Sequence, residues 1–448
     1  MSRIALLVAC LIALPVQAAD TWKAGVAKTV ITPDEPMWMS GYGARTAPAD
    51  GKNDDLMCKA VVLEDAAGGR IVLVTLDLVG IDRATSQAVC ARLKEQHGLD
   101  RSRIAINCSH THCGPVVGTN LKAMYSISDA QWGQVERYAE SLTKKIVDTV
   151  GRAIDDRAPA NVSWSEGVAT FAVNRRENTE AEVPKKRAAG EALKGPFDHA
   201  VPVLAVRGAD GSLKAVVFGY ACHATTLGFQ QWSADYCGYA YRAVEAQHPG
   251  ATALFWAGCG ADQNPIPRRT LEFAEKYGKE LAASVEKVLA GEMRPLGGPL
   301  ESKYAEIDLE FAHVPDKAEL ETEAAKGSRY EQGRAKLLLG RLANEGKLSP
   351  TYSYPVQTWR LGDGPRWVIL GGEVVVDYVL RLKQELGADR TWVAGYSNDV
   401  MAYIPSRRVL AEGRYEGATS MTIYGQPSSW APMLEDAIVG EVRKQLGK

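Results

Sequence analysis

Beyond its first nineteen residues the 448-residue chain has no apolar run approaching the ~18 residues that a membrane-crossing helix needs. It has no CxxC pair of the kind that builds a zinc ribbon, no internal repeat, no low-complexity tract and no long polar linker. Neither charge is in excess: Lys+Arg 52 against Asp+Glu 54 gives a formal net charge of -2. That removes the electrostatic reason to expect nucleic acid or an anionic membrane as the main partner. Glycine and proline, at 42 and 21, are near average, which excludes collagen-like and disordered chains. What remains is a globular protein, 46% apolar, long enough to bury a large core.

The exception is the start. Arg3 precedes the apolar run Ile4–Leu14, and Val16-Gln-Ala18-Ala19 closes it with small residues. This is the pattern of a secretory signal cleaved near Ala18 or Ala19, so residues 1–19 are expected to be removed and the protein exported, to the periplasm or beyond. Leu7-Val-Ala-Cys10 has the form of a lipoprotein box, but only six residues separate Cys10 from Arg3. Seven cysteines then remain: Cys58, Cys90, Cys108, Cys113, Cys222, Cys237 and Cys259. An odd number leaves at least one thiol unpaired within the chain. Two readings stand, small apolar packing residues or one or two local disulfides.

Short β-branched runs alternate with amphipathic stretches through the first half. Strands are predicted at Ala60–Leu63, Arg70–Leu76, Arg103–Asn107, Val201–Val206, Leu213–Gly219 and Ala253–Trp256, and helices at Ala84–Gln96, Ala130–Ile154 and Leu271–Ala290. After a charged helical excursion at Asp316–Asn344, strands resume at Val356–Leu361 and Trp367–Leu370, followed by a helix at Val374–Leu386 and a strand at Thr391–Ala394. The fold class is therefore α/β: one large domain with a mixed sheet and helices outside.

Several strands run out into polar motifs. Arg103–Asn107 leads into Cys108-Ser-His-Thr-His-Cys-Gly-Pro115, Leu213–Gly219 into Tyr220-Ala-Cys-His-Ala-Thr-Thr226, and Ala253–Trp256 into Ala257-Gly-Cys-Gly-Ala-Asp-Gln-Asn-Pro265. Ligands bind at the carboxyl ends of strands in such sheets, so these ends describe one pocket. His110-x-His112 on extended backbone would put both imidazoles on one side, and His223 supplies a third. Hydrogen-bonded core histidines are the plain alternative. Glu373, set in the apolar run Ile369–Val376, is unlikely to be buried unless paired or coordinated. Two histidines and a carboxylate meet zinc's need for a tetrahedral site with one open position. The residues thus point to an exported metal-dependent hydrolase.

At Ser109-His-Thr-His-Cys-Gly-Pro115 the chain resembles the catalytic domain of the neutral/alkaline ceramidases, whose signature is S/T-H-T-H-S-G-P. Gly41-Tyr-Gly43, Val173-Asn-Arg-Arg176, Cys222-His-Ala-Thr-Thr226 and Gly372-Glu373 resemble further family landmarks in the same order. Tyr403-Ile-Pro and Arg414-Tyr-Glu-Gly417 match its Y-V-T…Y-E-G block, with the two tyrosines twelve residues apart. The resemblance spans nearly the whole of residues 20–448. It implies one zinc ion per chain held by His110, His223, Glu373 and Tyr403. It further implies His112 lining the site, and Arg175 and Tyr415 binding the scissile amide and its developing oxyanion.

Two departures accompany it. Where the family has G-D-V-S-P with a serine proposed as nucleophile, this chain has Ala261-Asp-Gln-Asn-Pro265, with Asn264 in the serine's place. A carboxamide is a poor nucleophile, so zinc-activated water is the expected attacking group. Asn264 would then donate to the carbonyl or the water, and His112 would carry the proton to the leaving amine. The family's C-terminal immunoglobulin-like domain has no counterpart in the sequence, which loosens the implication of a long-chain sphingolipid. The expectation is hydrolysis of a small-molecule or lipid-like N-acyl amide. A zinc esterase or other hydrolase of a small polar or sugar-derived substrate, or a non-catalytic binding protein on the same scaffold, are the alternatives.

Overall fold

Period-two alternation along single strands builds the core on both faces of one sheet. The computed structural model describes residues 22–448, so the expected signal segment and Cys10 lie outside the described residues. Strands β1 (Trp22–Val30), β2 (Met57–Glu64), β3 (Arg70–Leu76), β4 (Ile104–Cys108), β5 (Ala158–Val168), β6 (Ala200–Gly208), β7 (Leu213–Tyr220) and β8 (Thr252–Ala257) lie in the order β8-β7-β6-β5-β1-β2-β3-β4. The two-residue strand Arg294–Pro295 pairs with β5 to complete nine. The terminal pairs β8–β7 and β3–β4 are parallel and the pairings between are antiparallel, as a mixed sheet requires.

A second sheet, β9 (Leu300–Glu310), β10 (Thr351–Leu361), β11 (Arg366–Leu370) and β12 (Thr391–Ala394) in that order, stacks on the first. Along β2 and β3, Val61, Leu63, Ile71 and Leu73 pack against Trp359, Trp367 and Trp392 of the second sheet. The alternate residues Ala60, Val62, Val72 and Val74 face the opposite way, toward helices α1 (Arg83–His97) and α2 (Asp129–Asp155). Trp367 stacks on Trp392 at 4.1 Å between centroids and meets Trp256 edge-on at 5.2 Å. Each such indole removes roughly 200 Å² from water, worth on the order of 5 kcal/mol, so this seam holds the two sheets together.

Helix α2 starts at a reciprocal cap between Ser128 and Gln131 and buries Leu142, Ile146, Val150 and Ala153, one stripe at helical spacing. Helices α3 (Asp235–Gln247) and α4 (Leu271–Leu289) cover the β6–β8 half. The charged excursion is a hairpin of α5 (Lys317–Lys326) and α6 (Arg329–Glu345), each with its own capping box, joined by a small core of Leu320, Ala335 and Leu338. It is more than a solvated arm, because Arg329 hydrogen-bonds the Gly43 carbonyl beside the site. Helices α7 (Asp377–Leu386) and α8 (Leu434–Gln445) complete the outer layer.

The helix predicted from Val374 begins at Asp377 instead. Glu373 and Val374 are taken up in a short parallel pairing with Tyr403 and Ile404, which fixes their backbone as extended.

Candidate metal centre and active site

The carboxyl ends of strands from both sheets meet at one point, and Asn107 ties them there. Its Nδ2 donates to the Gly395 carbonyl at 2.9 Å and the Ala257 carbonyl at 3.3 Å, and its Oδ1 accepts from the Ala257 N–H at 2.8 Å. The segments after β4, β8 and β12 are thereby locked side by side. Nothing in the sequence motif marked this residue except its place at a strand end.

His110 and His112 follow β4, but not on extended backbone. His110 has φ 62, because the chain turns so that the Ser109 and His110 N–H groups donate to the Leu76 and Leu78 carbonyls beyond β3. The two rings converge through this left-handed turn, rather than through strand alternation, and their Nε2 atoms lie 3.2 Å apart. His223 follows β7. Its Nδ1 donates to the Gly260 carbonyl at 2.8 Å, while the Nδ1 of His110 donates to the Val79 carbonyl at 2.5 Å. Each bond fixes a tautomer whose Nε2 lone pair points into the site. A Cβ on Gly260 would lie 2.4 Å from the Cys222 nitrogen, so only glycine lets this loop come close enough to offer its carbonyl.

Glu373 completes the cluster from the end of β11. Its Oε2 is 3.1 Å from His110 Nε2 and 3.2 Å from His223 Nε2, with every member buried. Its Oε1 accepts from the Tyr424 hydroxyl at 2.5 Å, while Oε2 has no hydrogen-bond donor among the described residues. Burial pushes the His223 pKa down to about 4, helped by Arg175, and holds that of His112 well below the ordinary imidazole value. Burial works to raise the Glu373 pKa, but the attraction of His110 and His223 in their charged forms outweighs it and holds the carboxyl well below its usual range. Two imidazole Nε2 atoms and one carboxylate oxygen therefore converge on one buried point. This donor set suits a divalent cation such as zinc. The three histidines His110, His112 and His223 also bring one ring nitrogen each to within 4.8 Å of one another.

The remaining expected residues surround this point. The Tyr403 hydroxyl lies 3.4 Å from His223 Nε2 and accepts from Arg175 at 3.1 Å. Burial, and then the Glu373 charge, raise the phenol's pKa well above its usual value, so it stays protonated without a metal. Arg175 also reaches Asn264 Oδ1 at 3.4 Å and is oriented by Glu416, to which its Nε donates at 2.8 Å. Glu416 in turn accepts from Arg176 at 2.6 Å. Asn264 lies on a short strand paired with Val173, which brings it alongside Arg175. Tyr415 packs edge-on against Tyr403 at 5.2 Å and is 41% exposed, at the rim. All eight residues singled out from the sequence are thus gathered in one place. Tyr424 and Glu416 were missed. For Glu416 the signal was present, since it lies inside the Tyr415-Glu-Gly417 block.

Other polar residues prove structural. Asp77 accepts from the Met57 N–H and the Tyr241 hydroxyl, both at 2.9 Å, and Asp235 from the Leu227 N–H at 2.8 Å; neither touches a histidine. Asp262 accepts from the Val376 N–H at 2.8 Å and from Asn174 at 3.1 Å, and its carbonyl accepts the Arg175 N–H. It positions the two segments that carry Glu373 and Arg175. Gly41, at φ 92, is both a turn and a wall, since a Cβ there would sit 2.4 Å from His112 Nδ1. Trp232 and Trp256 are core residues. All seven described cysteines are free and buried, so the packing reading holds and the local disulfides do not form. Lys185–Arg187 lie on a short helix, Val183–Ala188.

Among the described residues no helix is long and apolar enough to cross a membrane. The neutral ceramidase of Drosophila pseudoobscura pseudoobscura is 25% identical over 260 residues, 56% of this chain and 36% of that protein. The neutral ceramidase of Drosophila melanogaster is 24% identical over 257 residues, 55% and 36% respectively. The matched region thus spans little more than a third of either relative's length. The crystal structure of neutral ceramidase from Pseudomonas aeruginosa shares the fold, with a TM-score of 0.71 at 20% identity over 96% of this chain and 75% of that one. The sequence profile for the N-terminal part of neutral/alkaline non-lysosomal ceramidases matches residues 22–325, and the chain belongs to that family.

Proposed function

We propose that this protein is a zinc-dependent amidase that hydrolyses an N-acyl linkage, with His110, His223, Glu373 and Tyr403 holding one zinc ion per chain. The observation that carries this is the convergence of His110 Nε2 and His223 Nε2 on Glu373 Oε2 at 3.1 and 3.2 Å, all buried, with that carboxylate oxygen lacking a hydrogen-bond donor among the described residues. His110 and His223 are preferred over His112 as ligands because a backbone carbonyl orients each of those two rings, whereas His112 Nδ1 has no partner among the described residues. Zinc bound there supplies Lewis acidity and a water nucleophile at neutral pH, the pKa of such water falling to about 7.

The chain's own groups do the rest. Arg175 and Tyr415 stand at the rim as donors to the carbonyl oxygen, where each such donor is worth about 3 kcal/mol as charge develops. The Glu416 carboxylate keeps the Arg175 fork aimed inward. His112, held neutral by burial and with its Nε2 turned toward His110, would take a proton from the attacking water and return it to the leaving amine. Asn264, placed where the family has its serine, lends its amide to the carbonyl side. The family's ceramides are one substrate class to try. An ester or another small polar substrate is the second reading, favoured by the polar character of the rim.

The test is elemental analysis of chelator-free protein beside His223→Ala, followed by amine release from a panel of N-acyl amides, ceramide included. About one zinc per chain, lost in the variant, together with amide cleavage is the expected result. A metal-free, inactive protein after incubation with zinc would overturn the proposal.

A further inference from the structure

A cleft that shares Arg175, Asn264 and Tyr415 with the site is lined further by Arg176, Arg268 and Arg414 together with Glu180 and Glu416. Ile266 is the single aliphatic side chain among the described residues lining it. An alkyl chain seated here would desolvate guanidinium groups and gain almost no apolar contact. The charges do not cancel. Arg175 and Arg176 are taken up by Glu416 and Glu412, and Arg268 by Glu180. Arg414 has its nearest carboxylate, Glu177, only at 4.0 Å, and its side chain is 55% exposed. Arg269, next along the chain, stands 3.8 Å from a Glu180 already bonded by Arg268, is 49% exposed, and lies over the Tyr42 ring that itself contacts His112.

Both of these loosely paired arginines sit on unfavourable backbone, at φ 96 for Arg269 and φ 60 for Arg414. Long side chains rarely occupy that region, and such strain persists where surrounding structure imposes it, often at ligand sites. The Arg269 N–H is held by the Thr226 carbonyl at 2.6 Å, three residues after His223, and Arg414 Nη1 donates to the Arg176 carbonyl at 2.8 Å. Each is thus braced from a segment that also carries a residue of the site.

We infer that the substrate is an N-acyl amide bearing an anionic oxygen group, which Arg269 and Arg414 bind at the cleft mouth while the amide reaches Arg175 and the metal. A guanidinium fork matches carboxylate and phosphate alike. This rests on the amidase reading above but is separable from it.

The experiment uses zinc-loaded protein and three amides of equal acyl length, ending in a carboxylate, a phosphate monoester or a neutral carboxamide. Both kcat/KM and calorimetric Kd are measured. The expected result is at least a tenfold preference for one or both anionic amides, with carboxylate against phosphate identifying the group. Raising ionic strength from 0.05 to 0.5 M should shrink that preference. Arg269→Gln and Arg414→Gln should each reduce the anionic-to-neutral ratio several-fold, and Arg414→Lys, which keeps the charge but not the fork, should restore only part of it. Equal or better use of the neutral amide, or a ratio unmoved in both Gln variants, overturns the inference. If no amide is cleaved but the anionic ones still bind more tightly through these arginines, the anion site stands and the amidase reading falls.

Discussion

Replacing Glu373 by Gln should move the metal-free and metal-loaded proteins in opposite directions. In the wild-type protein stripped of metal, Glu373 Oε2 faces the Nε2 atoms of His110 and His223 and has no hydrogen-bond donor among the described residues. The glutamine keeps an oxygen for the Tyr424 hydroxyl and presents an N–H₂ group to His110 and His223. A satisfied bond in place of an unsatisfied buried acceptor is worth about 1–3 kcal/mol. With unfolding entropy near 2.1 cal/mol/K per residue, that raises the melting temperature of the stripped protein by about 1–3 °C. Zinc at a thousandfold excess over Kd should stabilise wild type by about 4 kcal/mol, a rise of about 4 °C. A thousandfold weaker site in the variant would leave less than about 1 °C. Differential scanning calorimetry of chelated and zinc-supplemented samples reads both quantities. A variant less stable than wild type without metal, or one that keeps the full zinc shift, would refute the assignment of Glu373 as an anionic metal ligand.

Gly41→Ala should drive a methyl group into His112 and lower kcat/KM by about a hundredfold, while zinc content measured on the folded variant stays unchanged. Arg175→Lys loses the fork shared by Tyr403 and Glu416 and should cut kcat by about 10²–10³ with metal retained, in steady-state assays. Asn107→Ala removes the tie between β4, β8 and β12 and should cost about 2–4 kcal/mol in urea unfolding. For His223, the folded pKa of about 4 lies below the ordinary 6.5, so the unfolded chain takes up the proton first as pH falls. Stability from this residue is therefore complete above pH 6.5 and lost on the way down to pH 4. Metal-free wild type should lose about 3 kcal/mol relative to His223→Asn across that window, read as the change in the difference between their urea-unfolding free energies.

The sequence was most legible where burial was uniform. Arg70–Leu76 and Thr391–Ala394 were predicted to the residue because nearly every position is apolar and inside. Strand β9 was not read, since Leu300-Glu-Ser-Lys-Tyr-Ala-Glu-Ile-Asp-Leu-Glu310 keeps half its surface in water and carries charges that dilute the alternation. Helix α3 escaped because Asp235-Tyr-Cys-Gly238 reads as a polar motif and only tertiary packing makes it helical. In the site, the histidines and Glu373 stood out as polar residues in apolar surroundings. Tyr424 did not, because a tyrosine is ordinary in a core and only the folded chain shows which carboxylate it serves. The turn at His110 was hidden for a similar reason: a left-handed φ at histidine has no signature in residue type.

The proposed ligands come from both stacked sheets, His110 and His223 from the larger one and Glu373 from the end of β11 in the smaller. An ion bound there would be a rivet between segments far apart along the chain, and half of its socket is absent until the second sheet has docked. Partly folded chains, including any that had made only the first sheet, could not capture it tightly. Metal uptake would thus act as a check on completed folding, and a protease that nicked the joint between the sheets would release the ion before it destroyed either sheet.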